Sequence, residues 1–479
     1  MQGFWVERGA ARLRPVGSLF ARVMIVVVVV GVVTTSVARA QNSKAVLDTP
    51  NSGGILRTIT LDGKSIDTNN PFFQSLGTNG RSCVSCHVAN TGWTISPAEV
   101  QDRFNKTSGL DPIFRLNDGA NSPNADVSTL AARRSAYSMV LSKGNIRVGL
   151  PIPAGAEFEL SAVDDPYGFA TARELSLFRR PLPTTNLRFL TTVMWDGRES
   201  FEPMGTTPIR DDATPEQNAK ALFDNLLHQA NEATTGHAEG APLNHAQRVA
   251  IAQFQLNLAS AQQNGRFPGI LTGRGAFGGP VNLAAQPFFV TINDVLGGDV
   301  QTGKFDPHAM NLFDAWKTSK NPEQAAIARG AALFGAKPIQ ITDVGGLNDD
   351  LGIPVLTGSC TTCHDSPNVG NHSVALPIDI GLTDAILRTP DMPLYTLRNL
   401  TTGETRQTTD PGRALLTGRW KDIGKFKGPV LRGLASRAPY FHNGMAADLE
   451  EAVDFYDTRF NIGLTGRERA DLVAFLNAL

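Results

Sequence analysis

The pentapeptide C-x-x-C-H occurs twice in this 479-residue chain, as Cys83-Val84-Ser85-Cys86-His87 and as Cys360-Thr361-Thr362-Cys363-His364, and the two copies use every cysteine. The pattern is that of a c-type haem attachment, in which each thiol adds across a haem vinyl group and the adjoining histidine becomes the proximal iron ligand. A zinc site of four thiolates has no need of a histidine directly after each pair. Two covalent haems therefore take precedence over a zinc site or a pair of disulfide staples. Such haems supply part of an apolar core, which suits a chain with 46 glycines, 29 prolines and only 7% aromatic residues. The expected fold is all-α, with two cytochrome c-type haem domains, long loops and insertions.

The N-terminus supports the same reading. Arg8, Arg12, Arg14 and Arg22 precede the apolar run Val23 to Val33, and Val37-Ala38-Arg39-Ala40 then supplies a small-residue cleavage site. This is the order of a secretory signal, placed at residues 1–40, with an apolar run too short to span a bilayer comfortably. The expected mature protein is exported, with no stable membrane span. A net charge of -1 gives no electrostatic case for nucleic acid or an anionic membrane as partner.

Around the second motif the sequence predicts a helix over 321–336, with Asn321 as cap, Pro322 at the first helical position, and Ile327, Ala331 and Phe334 on one face. A terminal helix is predicted from the Thr465–Glu468 capping box and the apolar stripe Leu472, Phe475, Leu476 and Leu479. Helix, haem motif, long loop and terminal helix mark a C-terminal haem domain at 321–479. The N-terminal haem domain, 41–320, carries a predicted helix from His245 to Gln262 and a glycine-rich surface loop over 265–279.

Three further segments carry a family resemblance: Trp195-Asp196-Gly197-Arg198, Ala438-Pro439-Tyr440-Phe441-His442-Asn443-Gly444, and a helix from Asp448 to Asp457. With two C-x-x-C-H motifs in this order, the chain resembles the bacterial dihaem cytochrome c peroxidases and their relative MauG. The resemblance implies a periplasmic oxidoreductase in which one haem reacts with hydrogen peroxide and the other passes electrons. The donor would be a small redox protein or an oxidisable substrate protein. By position, Trp195 becomes the residue between the haems and His442 a contact of the second haem. Pro439 falls where the family places a backbone ligand of a calcium ion.

The same resemblance frames the remaining ligands. The peroxidases carry an axial methionine fourteen residues beyond the histidine of the F-H-x-G motif, where this chain has Tyr456, as MauG has a tyrosine. Tyr456 also shares helical spacing with Leu449, Ala452 and Val453, so it could be a core aromatic instead. Met445 and Met392 are the other ligand candidates. No histidine occurs between Val88 and Met194, so the loop histidine that blocks the peroxide site in many relatives is missing; the loop offers Arg134 and Tyr137. Peroxide heterolysis needs a base to move a proton between the two oxygens. The candidates are Glu239, near the family's spacing from Gln229-Ala230, and the adjacent His237. Were His237 an iron ligand, the chain would be a dihaem electron-transfer cytochrome without peroxidase activity.

Overall fold

The structure is a computed structural model that describes residues 45–200, 207–297 and 304–479. The expected signal peptide lies outside these residues. Helix accounts for 33% of the described residues and strand for 17%, so the fold is mixed α/β and the all-α expectation is corrected. A four-stranded antiparallel sheet joins Val46–Asn51, Gly54–Thr60, Leu258–Gly265 and Gly269–Ile270, in that order. A three-stranded sheet pairs Thr405–Thr408 with Leu394–Asn399, which in turn pairs with Phe158–Asp164. Two hairpins complete the set, Ile146–Leu150 with Leu175–Arg179 and Ile339–Thr342 with Val355–Gly358.

The strand Leu258–Gly265 replaces the second half of the predicted 245–262 helix, which ends at Leu256. Ser260, buried in this strand, is fully satisfied. Thr58 and Ser260 hydroxyls lie 2.7 Å apart, and Asn186 brackets Ser260, accepting from its N–H at 2.9 Å and donating to its carbonyl at 2.8 Å. These partners lie far away in sequence, so the segment has no local strand signature. The glycine-rich stretch that follows holds the short strand Gly269–Ile270 and a helix, Gly279–Ala284, in addition to loop.

Around the second C-x-x-C-H motif the predicted helices form. Asn321 caps Pro322–Ala336 by accepting from Glu323 and Gln324 N–H groups, and the Thr465–Glu468 box starts Gly466–Asn477. The two helices cross in close contact at Gly330, where a Cβ atom would stand 1.9 Å from the Asp471 carbonyl oxygen. Arg329 clamps Asp471 with two bonds of 2.7 Å, and Phe334 meets Phe475 at 5.5 Å. This pair forms the back wall of the cavity described next. No helix among the described residues is long and apolar enough to cross a membrane.

Candidate haem sites

Both C-x-x-C-H motifs fold into the same local device. Each starts on a 3-10 turn, Cys83–Ser85 and Cys360–Thr362. In each, a hydroxyl three residues on accepts from the preceding serine N–H, Ser85 from Ser82 at 3.1 Å and Thr362 from Ser359 at 2.9 Å. Each histidine N–H then bonds the first cysteine carbonyl at 3.0 Å. Each imidazole Nδ1 donates to a carbonyl six residues ahead, His87 to Trp93 at 3.2 Å and His364 to Gly370 at 2.6 Å. The two residues whose carbonyls accept these bonds share a left-handed backbone, Trp93 at φ 62° and Gly370 at φ 64°. With Nδ1 protonated and engaged, the lone pair of Nε2 is free for a metal.

The electrostatics fit ligation. Burial pulls His87 down to about 4, with His237 lowering it further against the Trp93 bond, and burial pulls His364 down to about 4. Both rings are thus neutral, the form that binds iron. Burial pushes the thiols up, Cys86 to about 11 and Cys83, Cys360 and Cys363 to about 12. Thiols of that kind are the opposite of a reactive redox C-x-x-C, whose thiolate is stabilised.

Cys360, Cys363 and His364 line a cavity of about 210 Å³, with walls that include Ile341, Ile378, Ile380, Val453 and Leu472. An apolar cavity lined by paired thiols and a neutral imidazole fits a covalently held haem. Tyr456 lines the same cavity, its ring centroid 6.5 Å from that of His364. Its helix, Leu449–Phe460, turns Leu449, Ala452 and Val453 toward the core, and burial pushes the phenol well above its ordinary range. Met445 does not line the cavity, and Met392 is buried elsewhere against Met139 and Phe178.

Trp195 and His442 also line this cavity, with ring centroids 6.2 Å apart in an edge-on arrangement. His442 is buried, stacks on Phe426 at 4.2 Å, and has no hydrogen-bond partner on either ring nitrogen. Burial pulls it down to about 4, so it stands as a neutral polar group at the wall of a mainly apolar space. Trp195 is fixed at two points: its indole N–H donates to the Arg180 carbonyl at 2.8 Å and its carbonyl accepts from Lys427 N–H at 2.9 Å; Arg180 N–H in turn bonds the His442 carbonyl at 2.6 Å. Below it, the buried Arg179 binds Asp410 through two bonds, 2.7 and 2.9 Å, and Asp196 at 2.6 Å. Sequence reasoning missed Arg179 and Asp410, since residues 231 apart leave no spacing signal.

At the first motif, Cys83 packs in a cluster with Phe72 and Trp93, and Cys86 in one with Phe104, Phe114 and Tyr137. His237 ends the Pro215–Gly236 helix, and its Nδ1 donates to Asp118 at 2.5 Å. Asp118 is buried and pairs with Arg81, which also holds the His237 carbonyl at 3.1 Å. Desolvation pushes the Asp118 carboxyl up, but His237 and Arg81 outweigh it and hold the group below its ordinary range. Glu239 is exposed, on a left-handed backbone at φ 53°, and only its carbonyl is engaged, by Thr78. The structure thus brings His237, and not the Glu239 carboxylate, into an ordered network beside His87. Arg134 lies over the Phe104 ring at 4.6 Å, and the Tyr137 hydroxyl donates to the Phe114 carbonyl. Asp118 and Arg81 were also missed; Arg81 stands two residues before Cys83, and its pairing partner lies 37 residues on. Among the described residues no three His, Cys, Asp or Glu side chains cluster as a metal site.

No family model matches the chain. It is 33% identical over 133 residues to cytochrome-c peroxidase IdrP2 of Denitromonas iodatirespirans, a match covering 26% of this chain and 36% of the relative. Against cytochrome-c peroxidase IdrP1 of the same organism it is 32% identical over 184 residues, covering 35% and 44%. The matches thus span about two fifths of these relatives' lengths. Among solved structures, a MauG-like protein associated with microbial copper homeostasis aligns over 86% of each chain, at 16% identity and a TM-score of 0.38.

Proposed function

We propose, with kinship to the cytochrome-c peroxidases and to the dihaem peroxidase and MauG family as the premise, that this chain is an exported, periplasmic dihaem c-type oxidoreductase. It reduces hydrogen peroxide to water at the haem on Cys83, Cys86 and His87, in the N-terminal domain 41–320. Electrons reach it through the C-terminal domain 321–479, from a small redox protein or an oxidisable substrate protein. When bound, the haems supply one-electron iron chemistry and, at an open iron face, cleavage of the peroxide bond.

The observation that carries the reading is that two attachment loops of one design are completed differently. The second faces Tyr456, a phenol able to act as sixth ligand, while the first has His237 held by Asp118. His237 is the candidate to move a proton from the near to the far peroxide oxygen, the task for which a fixed imidazole near neutral pH is suited. Asp118 would fix its tautomer and Arg81 would keep Asp118 ionised. Glu239 is the lesser candidate because its carboxylate faces solvent. Trp195, held through its indole N–H and its carbonyl, is the relay, and His442 a polar contact of the second haem.

A second reading draws on the same bond. A histidine whose Nδ1 is tied to a carboxylate also has the arrangement of a metal ligand. With His237 on iron the chain would be an electron-transfer cytochrome. Mixing the fully ferric protein with stoichiometric peroxide in a stopped-flow spectrometer separates the two. A fast spectral change supports the peroxidase; no change in the ferric or half-reduced state would leave the electron carrier.

A further inference from the structure

Arg180, Lys427, Arg432 and Arg437 are buried where the two halves of the chain meet, at 5%, 8%, 2% and 8% exposure. Among the described residues none of them has a carboxylate within ion-pair distance. Their polar contacts are carbonyls. Arg180 donates to Lys143, Ile95 and Arg437 carbonyls, Lys427 Nζ to Thr192, Arg437 to Gly433 and Val430, and Arg432 Nε to Asn368 at 2.6 Å. Both terminal nitrogens of Arg432 have no partner at all. The nearby Arg179 makes the contrast: it is equally buried, yet two carboxylates clasp it. Buried cations without counter-ions are costly enough that native proteins pair them, with protein groups or with a bound anion. Burial alone pulls Lys427 down to about 7 and Arg432 to about 9, a measure of how poorly the protein by itself accommodates these charges.

The four fall into two pairs by position. Arg432 is bonded to Asn368, in the turn between His364 and Gly370, and Lys427 lines the cavity shared by His364 and Tyr456. Arg437 lies against Gly92, where a Cβ atom would meet its Cγ at 2.9 Å, in the turn between His87 and Trp93. Arg180 bonds the Ile95 carbonyl just beyond that turn. Trp195 stands between the pairs, bonded to the backbone of Arg180 on one side and of Lys427 on the other. Each haem carries a pair of propionate carboxylates at one edge, so two haems would neutralise these cations one for one.

We propose that Lys427 and Arg432 hold the propionates of the haem on His364, and Arg180 and Arg437 those of the haem on His87, so that both acid edges converge on Trp195. The inference rests on the two-haem reading and not on peroxide chemistry.

The test is a spectroelectrochemical titration of the holoprotein without peroxide, following each haem separately in Arg432→Gln, Lys427→Gln and Arg437→Gln. Removing a cation near one haem favours its ferric state. At the wild-type midpoint, the ferrous-to-ferric ratio of the second haem should fall roughly tenfold in the first two variants, as expected for one charge about 10 Å from the iron in a protein interior. Arg437→Gln should move the first haem by a similar factor. Arg432→Lys, which keeps the charge, should stay near wild type in potential and in haem content by the pyridine haemochrome assay. Unchanged potentials in all three glutamine variants, or a shift of the wrong haem, would overturn the assignment. A protein inert to peroxide but showing these shifts would sink the peroxidase reading and leave this one standing.

Discussion

Replacing Arg179 by methionine isolates the interaction on which the Trp195 segment rests. The guanidinium makes three bonds of 2.6 to 2.9 Å to Asp196 and Asp410, and all three side chains are at most 2% exposed. Truncation would leave Asp196 with Arg198 at 3.3 Å and Asp410 with little more than the Gly412 N–H at 2.8 Å. Stranding buried carboxylates in this way costs about 3–5 kcal/mol at pH 7. The pH dependence gives an independent check. Desolvation pushes Asp196 up, but Arg198 and Arg179 overcome it and hold the group at about 2, against an ordinary 3.8. A depressed carboxylate contributes stability that is present above its unfolded value and is lost as pH falls through its folded value. In the wild type that contribution, ~2 kcal/mol, fades between about pH 4 and pH 2. In Arg179→Met the desolvation that pushes Asp196 up is opposed by Arg198 without Arg179, so its carboxylate takes up a proton at higher pH than in the wild type and acid relieves the variant. Urea unfolding followed by circular dichroism at pH 7 and pH 4 should therefore show the gap between the two proteins narrowing at the lower pH. The triple variant Arg179→Met/Asp196→Asn/Asp410→Asn should recover most of the loss at pH 7. A single-variant cost below about 1 kcal/mol, or a triple variant no better than the single, would refute the reasoning.

Gly330→Ala should lower the melting temperature by several degrees, since its Cβ would meet the Asp471 carbonyl at 1.9 Å and overpacking costs ~1–3 kcal/mol; calorimetry showing an unchanged transition would exclude the close crossing. Asp118→Asn replaces the carboxylate that accepts the His237 Nδ1 proton with a neutral amide, and on the proposed mechanism the stopped-flow peroxide step should slow by about 10²-fold while Glu239→Gln stays near wild type. Equal rates in Asp118→Asn and wild type would remove His237 from the chemistry. Tyr456→Phe should alter the absorption spectrum of the second haem alone, and Met392→Leu should leave it untouched; the reverse pattern would make methionine the ligand.

What could be read from the sequence was whatever is encoded within a few residues. The haem motifs, the Asn321 cap and the Thr465–Glu468 box are local devices, and each stands where the spacing placed it. The strands escaped because their stabilising partners are distant: Phe158–Asp164 is paired by Leu394–Asn399, and Ser260 is held by Asn186 and Thr58. Periodicity also misled at Leu258, where an apolar residue that would extend the His245 helix begins a strand after Asn257. In the site, the motif residues Trp195, His442 and Tyr456 do line one cavity, but nothing in their neighbourhoods announces Arg179, Asp410 or Asp118. A buried charge is legible only once its counter-charge is known, and these counter-charges come from other parts of the chain.

The attachment loops show how a repeated motif can extend, in geometry, beyond the letters that the two copies share. Both need a carbonyl six residues beyond the histidine, presented by a left-handed residue. In the second half this is Gly370, which adopts that conformation without penalty. In the first it is Trp93, for which the same backbone costs of order 1–3 kcal/mol. The indole offsets that cost, since it is buried against Phe72 and Phe254 and its N–H donates to Thr58 in the four-stranded sheet at 3.0 Å. Burying so large an aromatic is worth more than the strain it carries. The tryptophan thus ties the His87 turn to the sheet that the all-α expectation lacked, whereas the glycine leaves the His364 turn free to pack closely on Met310 and Leu431. One geometry, reached by two residues with opposite steric demands, lets each half anchor its histidine to a different scaffold.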